Sequence, residues 1–231
     1  MVLKGELYIV ATPIGNPDDI TLRALKILKE ADLVVCEEKR TGSTLLKQYG
    51  IETPLEILNE HNEEEQTKNL FAKLLSEGLK IALISDAGTP LFADPGNILV
   101  EYCIDARIPV VPIPGPSSLM AALMVSGLKL ERFLYYGFLH PNRQMRLREL
   151  KKLPSDYDLV LLETPYRLNQ LLTDLQSVMG KSRNVILAYR LTFPEERIIR
   201  KNLGELIKKA SSLPKGEFVL ILPAQDQRSR K

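Results

Sequence analysis

The sequence predicts an α/β protein in two parts, with a mostly parallel sheet covered by helices first and a mixed sheet after it. Three observations carry this. Short apolar runs alternate with helix-length segments from residue 7 to residue 113, the rhythm of βαβ units with helices on both sheet faces. Three of those runs, at 7–11, 81–84 and 108–113, lead directly into Gly/Pro-rich turns. Later, strand-like runs at 185–189 and 197–202 lie too close together for a crossover helix and read as antiparallel neighbours. The change of pattern falls near residues 114–128. It gives an N-terminal α/β domain over 1–115 and a C-terminal mixed α/β domain over 116–231; with about 150 residues per domain as a loose prior, 231 residues fit one large or two small domains.

Taken in order, residues 7–11 are a strand and 22–29 a helix with Thr21 as its N-cap. Residues 33–36 are a strand, and 44–49 a short helix stopped near Gly50. A strand at 55–58 follows. Asn62 and, three positions on, Glu65 then form a capping-box pattern, with Leu70, Leu74 and Leu75 as the apolar face of a helix ended by Gly78. Strand 81–84, helix 98–106 and strand 110–113 complete the first half. The second half runs as helix 118–126 up to Gly127, strand 133–138, a basic helix at 142–152, strand 158–162 and helix 168–178 up to Gly180. Strands 185–189 and 197–202, helix 205–210 and strand 217–222 close it. Residues 225–231 are polar and expected to be disordered.

Composition narrows the function classes. An apolar content of 45% is ordinary for a globular protein with a sizeable core. A net charge of +2 gives no whole-molecule footprint for nucleic acid, so only local patches argue for it. No apolar run reaches the roughly 18 residues of a membrane span, and Lys4, Gly5 and Glu6 interrupt any signal-peptide pattern. Cys36 and Cys103 are too few for a disulfide framework, and with only His61 and His140 a zinc site is not expected. The expectation is a soluble cytoplasmic protein with no structural metal and no membrane partner.

The chemistry concentrates in the turns. Ser85-Asp86-Ala87-Gly88-Thr89-Pro90 with Asp94-Pro95-Gly96, Pro13-Ile14-Gly15-Asn16-Pro17, and Pro112-Ile113-Pro114-Gly115-Pro116-Ser117-Ser118 each follow a strand. Small residues there let a ligand approach the main chain, and ligands of open α/β sheets bind beyond the carboxyl ends of the strands. Neither GxGxxG nor GxxxxGK[ST] occurs. Asp86 either accepts hydrogen bonds from a ligand or caps neighbouring backbone. Ser117 and Ser118 either meet a carboxylate or ribose, or act as simple N-caps. The turn after residue 12 is either a ligand loop or a tight strand-to-helix connection.

Several motifs occur in order: residues 11–21 (ATPIGNPDDIT), 85–90 (SDAGTP), 94–96 (DPG), 113–117 (IPGPS), 137–139 (GFL), 163–167 (ETPYR) and 215–217 (KGE). With these the chain resembles the tetrapyrrole methylase superfamily over about residues 6–223. Within it the chain is similar to the ribosomal RNA small-subunit methyltransferase I group, which methylates a cytidine ribose 2′-hydroxyl in the decoding region of 16S rRNA. The resemblance implies an S-adenosylmethionine enzyme of two α/β domains with a cleft between them, usually a homodimer, whose partner is ribosomal RNA or the small ribosomal subunit. Carried over by motif, Asp86, Ala87, Gly88, Pro90, Ser117 and Ser118 bind the cofactor, together with the segments around Leu162, Glu163 and Tyr189. Pro13, Gly15 and Asn16 shape the substrate side.

Departures fall at the positions expected to face substrate. Where the group reads Cys-Glu-Asp-Thr-Arg, this chain has Cys36-Glu37-Glu38-Lys39-Arg40; where it reads Glu-Ser-Pro-His-Arg, this chain has Glu163-Thr164-Pro165-Tyr166-Arg167. The Arg-Glu-Leu-Thr-Lys stretch appears as Arg190-Leu191-Thr192-Phe193-Pro194-Glu195-Glu196, and the matching pattern ends soon after Leu222. The acceptor is therefore rRNA, or a small molecule such as a tetrapyrrole, or the chain is a non-catalytic cofactor-binding relative.

A ribose hydroxyl needs its proton accepted as it attacks, and Glu38, Asp86 and Glu163 are the carboxylates on candidate loops. Glu38, Arg40 and Glu163 are the candidate catalytic residues. Arg40 and Arg167 either bind phosphate or pair with Glu37 and Glu163. Arg143, Arg146, Arg148, Lys151 and Lys152, beside Tyr135, Tyr136 and Phe138, form either an RNA-binding face led by Arg143 and Arg146 or a solvated helix next to core aromatics.

Overall fold

The first-half strands are apolar at successive rather than alternate positions, because both faces of their sheet are covered. The computed structural model describes residues 5–225, and the chain divides into two units between Ser117 and Ser118. Of the polar tail expected to be disordered, residues 226–231 lie outside the described residues.

In the first unit the elements are β1 (Glu6–Val10), α1 (Leu22–Glu30), β2 (Leu33–Cys36), α2 (Lys39–Gln48), β3 (Leu55–Ile57), α3 (Glu63–Ala72), β4 (Lys80–Ile84), α4 (Asn97–Asp105) and β5 (Val110–Ile113). The strands lie in the order β3-β2-β4-β1-β5, all parallel. Side-chain alternation sends Leu33, Val35, Ile81 and Leu83 to one face, where they meet Leu70 of α3 and Leu99 and Cys103 of α4. Val34, Cys36, Ala82 and Ile84 go to the other, against Ala24 and Leu28 of α1 and Leu46 of α2. Two cores back to back explain the continuous apolar runs.

In the second unit α5 (Ser118–Met124), β6 (Phe133–Phe138), α6 (Arg143–Leu150), β7 (Asp158–Glu163), α7 (Leu168–Met179), β8 (Asn184–Tyr189), β9 (Arg197–Asn202), α8 (Leu203–Ala210) and β10 (Phe218–Leu222) follow. Their strand order is β6-β7-β10-β8-β9. β6 and β7 are parallel, while the β7–β10, β10–β8 and β8–β9 pairs are antiparallel. Leu159, Leu161, Leu187, Leu220 and Leu222 of the sheet bury against Leu171, Leu172 and Leu175 of α7 and Leu203 and Leu206 of α8.

Thr21 caps α1, its hydroxyl accepting from Ala24 N at 3.1 Å. Two local expectations are corrected. The helix expected at 44–49 begins at Lys39, capped by Glu38. Gly42, a helix breaker by propensity, lies inside it because a Cβ there would stand 2.6 Å from Cys36 Sγ. The capping box at Asn62 does not form: Asn62 makes no side-chain cap bond to α3, and its Oδ1 instead accepts from Asn59 N at 2.8 Å.

Candidate active site

β4, β1 and β5 are adjacent parallel strands, so the three turns that follow them leave the same edge of the first sheet side by side. Hydrogen bonds staple them together. Thr12 N donates to Gly88 O at 2.9 Å, and Gly88 N returns a bond to Thr12 O at 3.1 Å. Thr12 Oγ1 donates to Ser85 O at 3.0 Å, and Thr89 Oγ1 donates to Pro116 O at 3.1 Å. Gly88 stands at the junction, with φ of +87° and room for a Cβ only 3.0 Å from Ile14 Cγ2. That backbone conformation and that spacing both favour glycine.

β2 contributes a fourth loop. Glu38 N donates to Asp86 Oδ1 at 3.3 Å, so one oxygen of Asp86 serves a neighbouring backbone amide. Arg40, Thr41, Thr44, Gln48, Ser85 and Asp86 line a cavity of about 400 Å³. Arg40 makes no ion pair with Glu37 or any other carboxylate among the described residues. Burial raises the Asp86 carboxyl above its ordinary range, Glu38 N pulls it down, and Asp94 and Glu38 push it up again. Asp94 is raised by burial. Glu37 is raised by burial and then by Asp94, Asp86, Glu60 and Glu38. This edge of the sheet is therefore acidic.

Other expected residues of the first unit take structural positions. Asn16 Oδ1 accepts from Asp18 N at 3.0 Å and caps the short turn Pro17–Asp19. Glu38 Oε1 accepts from Arg40 N at 3.4 Å as the cap of α2. Pro13 and Gly15 lie in the stapled first loop and Ala87 and Pro90 in the second, and Ser117 ends the third. In the second unit Ser118 is the first residue of α5.

The second unit gathers its expected residues at one edge of its own sheet, where Phe218 of β10 pairs with both Glu163 and Tyr189. Leu162, one residue earlier in β7, pairs with Val219. Arg167 Nη2 meets Glu163 Oε1 at 2.8 Å, so the ion-pair alternative for Arg167 is realised. Glu163 Oε2 is buried without a hydrogen-bond partner. Tyr189 is buried, its hydroxyl donating to Pro214 O at 2.6 Å.

The RNA-binding expectation for Arg146 is overturned. Arg146 is fully buried, donating to Asp174 Oδ2 from Nε at 3.0 Å and from Nη2 at 2.8 Å, and to the carbonyls of His140 and Pro141 from Nη1. Arg143 Nε donates to the other oxygen, Oδ1, at 2.9 Å. Both arginines hold one buried carboxylate, so reversing the charge of either disturbs folding; the Arg143 side chain is nevertheless 59% exposed, and only its Nε is engaged by Asp174. Tyr136 packs on the core. Sequence reasoning missed Asp174; its signal was an acid between Leu171, Leu172 and Leu175 on the buried stripe of α7. It placed Lys215 in a motif without a role; its Nζ lies 3.1 Å from the centre of the Tyr166 ring.

Among the described residues no group of three or more His, Cys, Asp or Glu could hold a metal ion, and no helix is long and apolar enough to cross a membrane. Comparison with known proteins matches residues 6–207 to the family model for tetrapyrrole (corrin/porphyrin) methylases. The chain is 45% identical over 223 residues to the ribosomal RNA small subunit methyltransferase I of Escherichia coli, covering 95% of this chain and 78% of that protein. Its fold is similar to that of diphthine synthase, with a TM-score of 0.73 at 17% identity over 95% of this chain and 90% of that one. It is also similar to a uroporphyrin-III C-methyltransferase from Thermus thermophilus complexed with S-adenosylhomocysteine, with a TM-score of 0.64 at 21% identity over 94% of this chain and 97% of that one.

Proposed function

The chain belongs to the tetrapyrrole (corrin/porphyrin) methylase family, and on that premise we propose that it is an S-adenosylmethionine-dependent methyltransferase that 2′-O-methylates a cytidine ribose of small-subunit (16S) ribosomal RNA. The observation that carries this reading is sustained identity, along nearly the whole chain, with proteins named ribosomal RNA small subunit methyltransferase I.

The residues of the first unit fit the cofactor. Ala87 and Gly88 put almost bare backbone at the stapled junction, a carboxylate such as Asp86 accepts from ribose hydroxyls, and an acidic edge suits a cationic sulfonium. Asp86, Ala87, Gly88, Pro90 and Ser117 are the assigned holders there, and S-adenosylmethionine supplies an electrophilic methyl group. In the second unit Ser118, Leu162, Glu163 and Tyr189 carry the remaining assignment. With Oε1 taken by Arg167 and the Tyr189 hydroxyl by Pro214, Glu163 Oε2 is the acceptor left over.

The protein's main task is to hold the acceptor hydroxyl in line for displacement. Of the first-unit carboxylates on the candidate loops, Asp86 is assigned to the cofactor and Glu38 caps α2. Arg40, beside Asp86 in the cavity and unpaired, meets a substrate phosphate. The enzyme acts as a homodimer in the cytoplasm, which sedimentation and fractionation test directly.

Transfer of labelled methyl to small ribosomal subunits, beside free rRNA and a porphyrinoid, tests the activity. Label in a ribose of the 16S RNA is expected, and Asp86→Asn raises the KM for S-adenosylmethionine on the order of tenfold. Label entering the porphyrinoid alone, or no acceptor at all, overturns the reading.

A further inference from the structure

Tyr166 and Lys215 meet at the surface without serving the core. Tyr166 is 79% exposed, Lys215 is exposed as well, and the lysine ammonium rests over the ring. A cation on an exposed ring adds little to folding. Both side chains nevertheless stand on anchored backbone. Tyr166 lies in the turn Pro165–Arg167, where Arg167 N donates to Thr164 O at 3.0 Å. Glu163 Oε1 accepts from Thr164 N at 2.7 Å and pairs with Arg167 at 2.8 Å. Lys215 lies just before β10, between Pro214, whose carbonyl takes the Tyr189 hydroxyl, and Glu217, whose carbonyl accepts from Arg190 N at 2.8 Å. Two long side chains are thus presented from two separately pinned segments at one edge of the second sheet. Among the described residues Lys215 has no carboxylate partner. One face of the ring carries the ammonium, and the side chain is largely exposed to solvent.

We propose that Tyr166 is a stacking platform for an unpaired RNA base and that Lys215 binds the phosphate beside that base. An aromatic face accepts any base that is free of a duplex, and the ammonium held over the ring, with no carboxylate partner among the described residues, neutralises the adjoining backbone. Pre-organised loops lower the ordering cost of such a contact. The inference rests on the RNA reading above and deepens it, naming where single-stranded substrate is gripped.

The chain contains no tryptophan, so Tyr166→Trp places a lone tryptophan at the platform, which can be excited selectively beyond the tyrosine absorption. A single-stranded oligoribonucleotide is expected to quench its emission, while heparin, a polyanion without bases, leaves it bright. Equal quenching by heparin, or none by RNA, overturns the platform. Adding Lys215→Met is expected to weaken the titration and to reduce its salt slope by about one; an unchanged slope overturns the phosphate contact. In methyl transfer to small ribosomal subunits, Tyr166→Ala raises KM on the order of tenfold and Tyr166→Phe returns it towards the original value. If Tyr166→Ala leaves KM unchanged while methyl transfer proceeds, the platform fails and the methyltransferase stands. If RNA quenches the tryptophan but no acceptor is methylated, the platform stands and the methyltransferase fails.

Discussion

Gly88 joins three loops: it bonds Thr12 in both directions, and a Cβ added there would stand 3.0 Å from Ile14 Cγ2 and 3.7 Å from Pro116 O. Its φ of +87° costs an L-residue about 1–2 kcal/mol, and an added methyl presses on Ile14. Gly88→Ala is therefore expected to lower unfolding free energy by about 2 kcal/mol. It should also weaken S-adenosylmethionine binding, checked by denaturant titration and calorimetry. The sequence made this loop conspicuous through Gly, Pro and small residues. It did not reveal that Glu38 would spend its side chain on a cap, or that Tyr189 would spend its hydroxyl on Pro214 O, because such bonds join residues that only the fold brings near.

Among the elements, α6 and α7 carry the clearest lesson. Read as a string, α6 is a basic helix and its arginines look like phosphate ligands. In the fold, α6 lies against α7, and Asp174 is closed between Arg143 and Arg146. Asp174→Leu leaves the Arg146 guanidinium buried without its partner and is expected to cost about 3–5 kcal/mol, read as a fall in the denaturation midpoint. Combining it with Arg146→Met restores much of that stability, because the uncompensated charge is gone. Helix α2 teaches the same point from the other side. Gly42 reads as a stop in one dimension, yet close packing on Cys36 places it inside the helix.

At the scale of the whole molecule, electrostatics links the first sheet to stability. The folded-state carboxyls of Glu37, Asp86 and Asp94 all titrate above their ordinary values. The folded chain thus holds protons that the unfolded chain has released, and the associated stability is present at low pH and lost as pH rises through the carboxylate range. Glu37→Gln should raise unfolding free energy at about pH 7 by on the order of 0.5 kcal/mol, small because the group is partly solvated. The gain should vanish near pH 4, and equal gains at both pH values would contradict the assignment. The sequence by itself determined the α/β class, the strands and most helices, and the three turns past β1, β4 and β5, since strand runs, caps and Gly/Pro turns are local signals. Only the tertiary structure decided which charges are free. Arg40 opens to a cavity, Arg167 answers Glu163, Arg146 is sealed on Asp174, and Tyr166 stays at the surface under Lys215. A side chain's partner depends on segments far away in sequence, and burial multiplies the cost of leaving a charge without one.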